Sequence, residues 1–231
     1  MAVQTLKGKI FSKAMIAKDT YALRFNCETM PVFDFLAGQF VTITINPPTV
    51  RRSYSIASAP GKDFIELIAD TKRGGPGSQF FENAKVGDEF EFMFPLGVFF
   101  YKESPKPVYF FGTGTGIVPF MSMAEDALTN QKTARNVTMY CGFRCEEDVF
   151  GNEFLELLDV RFSNFWYKLS LSQPSPEWTG EIGRITKYIE TLTETDIEVY
   201  ICGSNQMVSD VKAQLIAKGV PEAQIFHEMF Y

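Results

Sequence analysis

Val108-Tyr109-Phe110-Phe111-Gly112-Thr113-Gly114-Thr115-Gly116-Ile117-Val118-Pro119-Phe120 is the stretch that decides the fold. Its first four residues are a continuous apolar run, which is how a parallel strand buried on both faces reads. A glycine loop follows, and from about Pro119 to Asn130 the pattern is helical. Strand, glycine loop and helix in immediate succession offer close backbone approach, free N–H groups and a favourable dipole to a phosphate. Gly112, Thr113, Gly114, Thr115 and Gly116 are the candidate residues for that contact. The spacing is not G-x-G-x-x-G, and no acidic residue stands out where one meets a ribose hydroxyl. A tight strand–helix turn without a ligand is the alternative.

On the C-terminal side the alternation continues. Val137–Cys141, Tyr167–Leu171 and Glu198–Ile201 read as strands, with helices near 150–159, 185–190 and 205–218. This is the pattern of a doubly wound α/β domain with a parallel sheet. On the N-terminal side the pattern is different. Runs rich in β-branched and aromatic residues at 7–12, 21–25, 40–45, 52–58, 64–69 and 89–94 are separated mostly by Gly, Pro, Asn or Asp. Short strands at such spacing favour a closed antiparallel barrel or a sandwich. Lys102-Glu-Ser-Pro-Lys-Pro is the linker, giving two expected domains, 1–103 and 104–231.

Composition agrees with two folded domains. Hydrophobic content is 45% and charged content 22% over 231 residues, outside the range of disordered chains. Residues 1–110 carry 13 Lys/Arg against 11 Asp/Glu, and residues 111–231 carry 9 against 17, an asymmetry that suggests different tasks. The net charge of −6 argues against nucleic acid as the main partner. No apolar run reaches membrane-span length and no signal-peptide pattern opens the chain, so the expected location is the cytoplasm. Cys27, Cys141, Cys145 and Cys202 are scattered and make no zinc or iron–sulfur set; they are expected as free thiols, with no metal bound. The 23 Phe suit a flat ligand or a partner surface as well as a core.

Arg51-Arg52-Ser53-Tyr54-Ser55-Ile56-Ala57-Ser58 alternates from Tyr54 onward, as a half-buried strand does. It also groups a fixed cation, an aromatic hydroxyl and three serines, a set suited to a flavin dinucleotide. An edge strand with solvated arginines is the other reading. Downstream, Gly74-Gly75-Pro76-Gly77-Ser78 leads into a short helix, with Ser78 expected at or near its N-cap, and gives a second place for a phosphate. Tyr200-Ile-Cys202-Gly203-Ser-Asn-Gln ends a strand at a turn into a helix, and strand ends line the ligand crevice of a parallel sheet. Cys202 there would sit against a nicotinamide or simply fill the core. The ending Ile225-Phe-His-Glu228-Met-Phe230-Tyr231 is either a last strand of the sheet or a ring that covers something flat.

In order along the chain these motifs resemble the ferredoxin–NADP reductase superfamily, over essentially its whole length. The resemblance implies a Greek-key FAD-binding β-barrel followed by a pyridine-nucleotide domain. Arg52, Ser53, Tyr54 and Ser55 match the flavin signature R-x-Y-S: arginine on the pyrophosphate, tyrosine on the isoalloxazine, serine near flavin N5. Gly74, Gly75 and Ser78 match its phosphate loop, with Gly77 inside it, and Ile68, Ala69 and Asp70 fall where a strand passes the flavin. Gly38-Gln39-Phe40 and Pro95-Leu96-Gly97-Val98-Phe99 look like its two barrel motifs. Gly112–Gly116 is similar to its nucleotide pyrophosphate loop, and Cys202-Gly203 to its nicotinamide-side Cys-Gly. Glu228-Met229-Phe230 fits a Glu-x-aromatic terminus, in which Phe230 would cover the flavin; Tyr231 extends past it and is the rival ring.

The implied activity is hydride transfer from NAD(P)H to FAD and onward transfer of electrons to a ferredoxin, flavodoxin or other small redox protein. Ser55, Cys202 and Glu228 are the expected catalytic residues, Glu228 as a proton relay. No ferredoxin-type cysteine set is present, which implies a reductase without its own iron–sulfur centre. The Ser-Arg pair that meets a 2′-phosphate in NADP-specific members is replaced by Ser170-Leu-Ser-Gln-Pro-Ser. Arg144 is the candidate substitute, but the acidic second domain disfavours an extra phosphate, and NADH is the expected nucleotide. The rivals are a free-flavin reductase and an electron-transfer subunit of a larger complex.

Overall fold

The structure is a computed structural model that describes residues 2–45 and 49–230, without the side chain of Phe230. Its contacts divide the chain into two units: residues up to Tyr101 with Met121–Ala127, and Lys102–Phe120 with Leu128 onward.

The first unit is one antiparallel sheet of β1 (Gln4–Ala17), β2 (Thr20–Asn26), β3 (Phe40–Ile45), β4 (Val50–Ser55), β5 (Ile65–Asp70) and β6 (Glu89–Leu96). The strand order is β4-β3-β6-β1-β2-β5, so β6 lies between β1 and β3 as in a Greek key. The two outer strands meet through a bridge between Ile56 and Leu67, and the Ala57 N–H donates to the Glu66 carbonyl at 2.8 Å. Closure of this kind removes the exposed edges of the sheet. The helix α1 (Pro76–Asn83) lies in the connection from β5 to β6.

Phenylalanine explains the core. Phe25, Phe33, Phe92 and Phe94 are fully buried, with Phe25 edge-on to Phe92 at 4.9 Å and Phe33 to Phe94 at 5.5 Å between ring centres. Edge-to-face pairing is the preferred geometry of such rings. The aromatic excess therefore goes into the barrel core to a large extent. The segment 121–127 grouped with this unit is tied to it by the Ser122 hydroxyl, which donates to the Ser58 carbonyl at 2.8 Å, and by a 2.7 Å ion pair between Glu125 and Lys62. Sequence reading assigned that segment to the second domain.

The second unit holds a parallel sheet: β7 (Val108–Thr113), β8 (Val137–Phe143), β9 (Phe165–Leu171), β10 (Glu181–Ile182), β11 (Glu198–Ser204) and β12 (Ile225–Phe230). Its order, β10-β9-β8-β7-β11-β12, runs outward from β7 in both directions. The direction of winding therefore reverses between β7 and β11, and a parallel sheet binds ligands at such a point. The helices are α2 (Val118–Glu125), which starts after a 3-10 turn at Gly114–Ile117 and from Met121 onward is grouped with the first unit, α3 (Asn152–Arg161), α4 (Lys187–Glu190) and α5 (Asn205–Lys218). The last of these is capped by Ser204, whose hydroxyl accepts from the Met207 N–H, and stops at Gly219 in a left-handed conformation. The chain end, left open between two readings, is a strand paired in parallel with β11.

Candidate functional site

In the barrel, β4 carries the arginine–tyrosine stretch as an edge of the sheet order. Arg51, Arg52 and Ser53 are exposed, Tyr54 is partly buried and Ser55 is buried. Beyond Ser55 the expected alternation stops, because Ile56, Ala57 and Ser58 are all buried where the barrel closes. Ser58 is used internally: its hydroxyl accepts from the Glu66 N–H at 3.1 Å. The Ser53 and Thr42 hydroxyls are 2.9 Å apart across β3 and β4.

Tyr54 is held from two sides. Its ring meets Phe81 of α1 edge-on at 4.9 Å, and its hydroxyl fills the space that a Cβ on Gly77 would need. Cγ of Arg52 is 3.5 Å from the same point. Only glycine permits this convergence of β4 with the start of α1. Burial pushes the Tyr54 phenol up to about 12, with the Arg52 guanidinium acting in the opposite sense, so it stays a neutral donor at pH 7.

Ser78, expected at or near the N-cap of α1, lies near it, in the first turn. The N-cap of α1 is Gly75, with φ 98°, a conformation for which glycine is suited. Ser78 is the third helical residue; its hydroxyl donates back to the Gly74 carbonyl at 3.0 Å. It thus closes the loop instead of capping the helix. No side chain caps the amino end, and a Cβ at Gly74 or Gly75 would meet nothing within 4 Å. The loop therefore offers open backbone beside Arg52, which fits a phosphate. Ile68 and Ala69 are buried in β5 and Asp70 is exposed at its end.

In the parallel sheet, the carboxyl ends of β7 and β11 touch backbone to backbone. A Cβ on Gly116 would collide with the Cys202 carbonyl and lie 2.9 Å from Cα of Gly203. A Cβ on Gly112 would meet Ile117 at 2.9 Å, whereas Gly114 faces open space. Thr113 lies next to Gly203, its Oγ1 2.5 Å from a Cβ there. Thr115 lies in the same 3-10 turn, and the Val118 N–H donates to its carbonyl. The five loop residues and the Cys202-Gly203 turn are thus brought together at the reversal point of the sheet.

Cys202 is fully buried, and burial, aided by the Glu228 carboxylate, keeps its thiol well above the ordinary range. A thiol held neutral in this way is poorly suited to act as an acid or nucleophile at pH 7. Glu228 is its register partner on β12. Burial pushes the Glu228 carboxyl up to about 7, and its Oε2 is buried without a hydrogen-bond partner. An orphaned buried carboxyl oxygen in a crevice fits a group still to be bound. Phe230 continues the strand opposite Ser204, with its side chain undescribed, and Tyr231 lies outside the described residues.

Arg144 follows β8 and is exposed; its Nε donates to Oε1 of Gln173 at 2.8 Å. The Gln173 N–H returns a bond to the Arg144 carbonyl at 2.8 Å. Arg144 therefore stands beside the Ser170–Ser175 segment, with Gln173 as its partner. Two residues after Arg144, Glu146, Glu147 and Asp148 form a 3-10 turn. Among the described residues no cluster of His, Cys, Asp or Glu could hold a metal ion, and all four cysteines are free. No described helix is long and apolar enough to cross a membrane.

A family model described as an oxidoreductase FAD-binding domain matches residues 7–101, and one described as an oxidoreductase NAD-binding domain matches residues 110–213. The toluate 1,2-dioxygenase electron transfer component of Pseudomonas putida is 28% identical over 227 residues, 97% of this chain and 67% of that one. The chain spans only 58% of the anthranilate 1,2-dioxygenase electron transfer component of Acinetobacter baylyi, at 29% identity. Ferredoxin–NADP reductase B of Sorangium cellulosum is 32% identical over 211 residues, 86% of either chain. Among solved structures, an Amycolatopsis cytochrome P450 reductase has the same fold, with a TM-score of 0.90 at 24% identity over 99% of this chain and 70% of its own.

Proposed function

The chain belongs to the ferredoxin–NADP reductase superfamily, and from that premise we propose that it is an FAD-dependent NAD(P)H reductase that delivers electrons to a small redox protein. The observation that carries the flavin site is the meeting of Arg52, Tyr54 and Gly77 beside the uncapped start of α1. A dinucleotide's pyrophosphate needs fixed charge together with N–H donors, and both are present there. This two-part phosphate site favours bound FAD over the free-flavin rival.

Bound FAD would supply the redox chemistry, hydride acceptance from the nicotinamide and release of electrons one at a time. The protein's residues bind and orient. Arg52 and the Gly74–Ser78 loop would hold the pyrophosphate, Tyr54 would offer its ring and a neutral hydroxyl, and Ser55 would donate near the reacting end. Ile68, Ala69 and Asp70 complete the barrel wall. The Gly112–Gly116 loop takes the nucleotide's phosphates, and Cys202 and Gly203 shape the nicotinamide pocket. Glu228 holds a proton near neutral pH and can exchange it.

NADH is the proposed donor. Arg144 is a cation tied to the segment after β9, but the three consecutive acids at 146–148 oppose a 2′-phosphate. The proposed acceptor is a ferredoxin- or flavodoxin-like protein, by analogy with relatives named as electron transfer components. Four free thiols favour a reducing compartment, and we place the protein in the cytoplasm. The test is anaerobic titration of the purified yellow protein. Bleaching by NADH at lower concentration than by NADPH is expected; protein that is colourless after flavin addition, or unbleached by either nucleotide, refutes the reading.

A further inference from the structure

Strand β1 is interrupted where it matters for α1. Its register with β2 pairs Ile10 with Phe25, then Ser12 with Arg24 and Lys13 with Leu23, which leaves Phe11 as an extra residue. Such a bulge re-aims the side chains after it. Before Phe11 the inward residues are Gly8 and Ile10; after it, Lys13 stands opposite Leu23, which is fully buried. An ordinary strand would have turned Lys13 to solvent. Phe11 is exposed instead.

So directed, Lys13 reaches the carboxyl end of α1. Its Nζ donates to the Glu82 carbonyl at 2.7 Å and the Ala84 carbonyl at 2.9 Å, and lies 5.1 Å from the centre of the Tyr21 ring. The last carbonyls of a helix lack internal partners and carry the negative end of its dipole, so an ammonium there stabilises it. The helix has no basic residue in its own last turn and no acidic one in its first. A cation from 69 residues away in sequence supplies what α1 lacks.

The clamp bears on the opposite end as well. Phe81 is fully buried against Tyr54, and Phe80 packs on Phe90, so the middle of α1 is a pivot. A helix of eight residues is about 12 Å long, and a tilt of about 10° about its centre moves each end by roughly 1 Å. At the amino end that is the difference between Gly77 meeting Tyr54 and Arg52 and standing away from them. We propose that Lys13 is a positioning residue for the pyrophosphate of FAD: by clamping the carboxyl end of α1 it fixes the aim of the amino end. This rests on the flavin site proposed above.

Affinity for FAD and for riboflavin, which lacks phosphates, separates aiming from general support. Both are titrated by flavin fluorescence against wild type, Lys13→Met and Lys13→Arg, with thermal melting alongside. Lys13→Met is expected to weaken FAD about fivefold and riboflavin by less than about twofold, and Lys13→Arg to restore FAD. Amide hydrogen exchange of the flavin-free protein gives an independent reading: faster exchange at 77–79, unchanged in β3. Equal weakening of both flavins, unchanged FAD affinity, or failure of both Lys13→Met and Lys13→Gln to fold overturns the proposal, since each makes Lys13 a residue of general stability or of none. Wild-type protein that binds neither flavin overturns the flavin site itself.

Discussion

Glu228 stands opposite Cys202 in the parallel register of β11 and β12, and of the two only the carboxyl titrates near neutral pH. Both are shifted upward by burial, which disfavours a charge on either. The thiol is already neutral in water, so its shift changes nothing at pH 7. The carboxyl is ordinarily ionised, so its shift creates a proton-holding group in the crevice. This division favours Glu228 over Cys202 for any proton step.

The same shift makes stability depend on pH. Below pH 4.5 Glu228 is protonated in both folded and unfolded chains. Between 4.5 and about 7 the unfolded chain releases the proton while the fold retains it, so stability falls as pH rises; above about 7 the penalty is complete. It amounts to about 3 kcal/mol. Urea unfolding of flavin-free protein should show Glu228→Gln gaining on wild type by that amount from pH 4.5 to 7, then running parallel. A gap constant with pH would exclude the burial of this carboxyl.

Arg52 and Arg51 should separate cleanly. Arg52 lies against Gly77 and donates from Nη1 to the Arg51 carbonyl at 2.9 Å, whereas the atoms nearest a Cβ on Gly77 belong to Tyr54 and Arg52 and not to Arg51. A charge-assisted bond contributes roughly 1.5–3 kcal/mol. Arg52→Ala should therefore weaken FAD at least about tenfold. Arg51→Ala should change it less than about twofold, the scale of an exposed charge. Equal effects would mean that the phosphates lie along β4 and not at the start of α1.

What was legible from sequence follows from how local the cause was. Helix α5 was read over 205–218 and found at Asn205–Lys218, because an apolar period and Gly219 mark it from within. The order of strand, glycine loop and helix at Val108–Phe120 likewise needs no distant partner. Ser78 stands near the helix start as expected, but its bond was not legible, because a hydroxyl there looks the same in sequence whether it caps the helix or bonds back to Gly74. The bulge at Phe11 has no local signature, so the turning of Lys13 toward α1 was invisible. The raised carboxyl of Glu228 depends on burial that only the packed sheet creates.

Gly116 tests the nucleotide half. The obstacle to a Cβ there is the backbone of Cys202 and Gly203, which cannot rotate aside as a side chain would. Gly116→Ala must separate the carboxyl ends of β7 and β11 or leave the loop misplaced. The expected result is a loss of stability of about 1–3 kcal/mol with a larger loss of NADH affinity, FAD binding remaining. Gly114→Ala, where the side chain would meet open space but φ is 53°, should be milder in stability. Calorimetry and NADH titration of the two variants compare them, and a wild-type NADH affinity in Gly116→Ala would remove the loop from the site.

Arg135 is a buried structural cation of the second unit. Its side chain is 2% exposed; Nη2 pairs with Oε2 of Glu198 at 2.9 Å, Nε donates to the Lys106 carbonyl at 2.6 Å and Nη1 to the Lys102 carbonyl at 3.0 Å. One guanidinium thus ties the segment after the barrel to the start of β11. Removing it leaves Glu198, 13% exposed, as an uncompensated charge, and breaking such a pair is destabilising by about 3–5 kcal/mol. Arg135→Met should lower the denaturation midpoint accordingly, and adding Glu198→Leu should recover much of the loss, because the stranded charge is gone. If the double variant is no more stable than the single one, the loss comes from the Lys102 and Lys106 carbonyls, and Arg135 holds the linker chiefly through its backbone contacts.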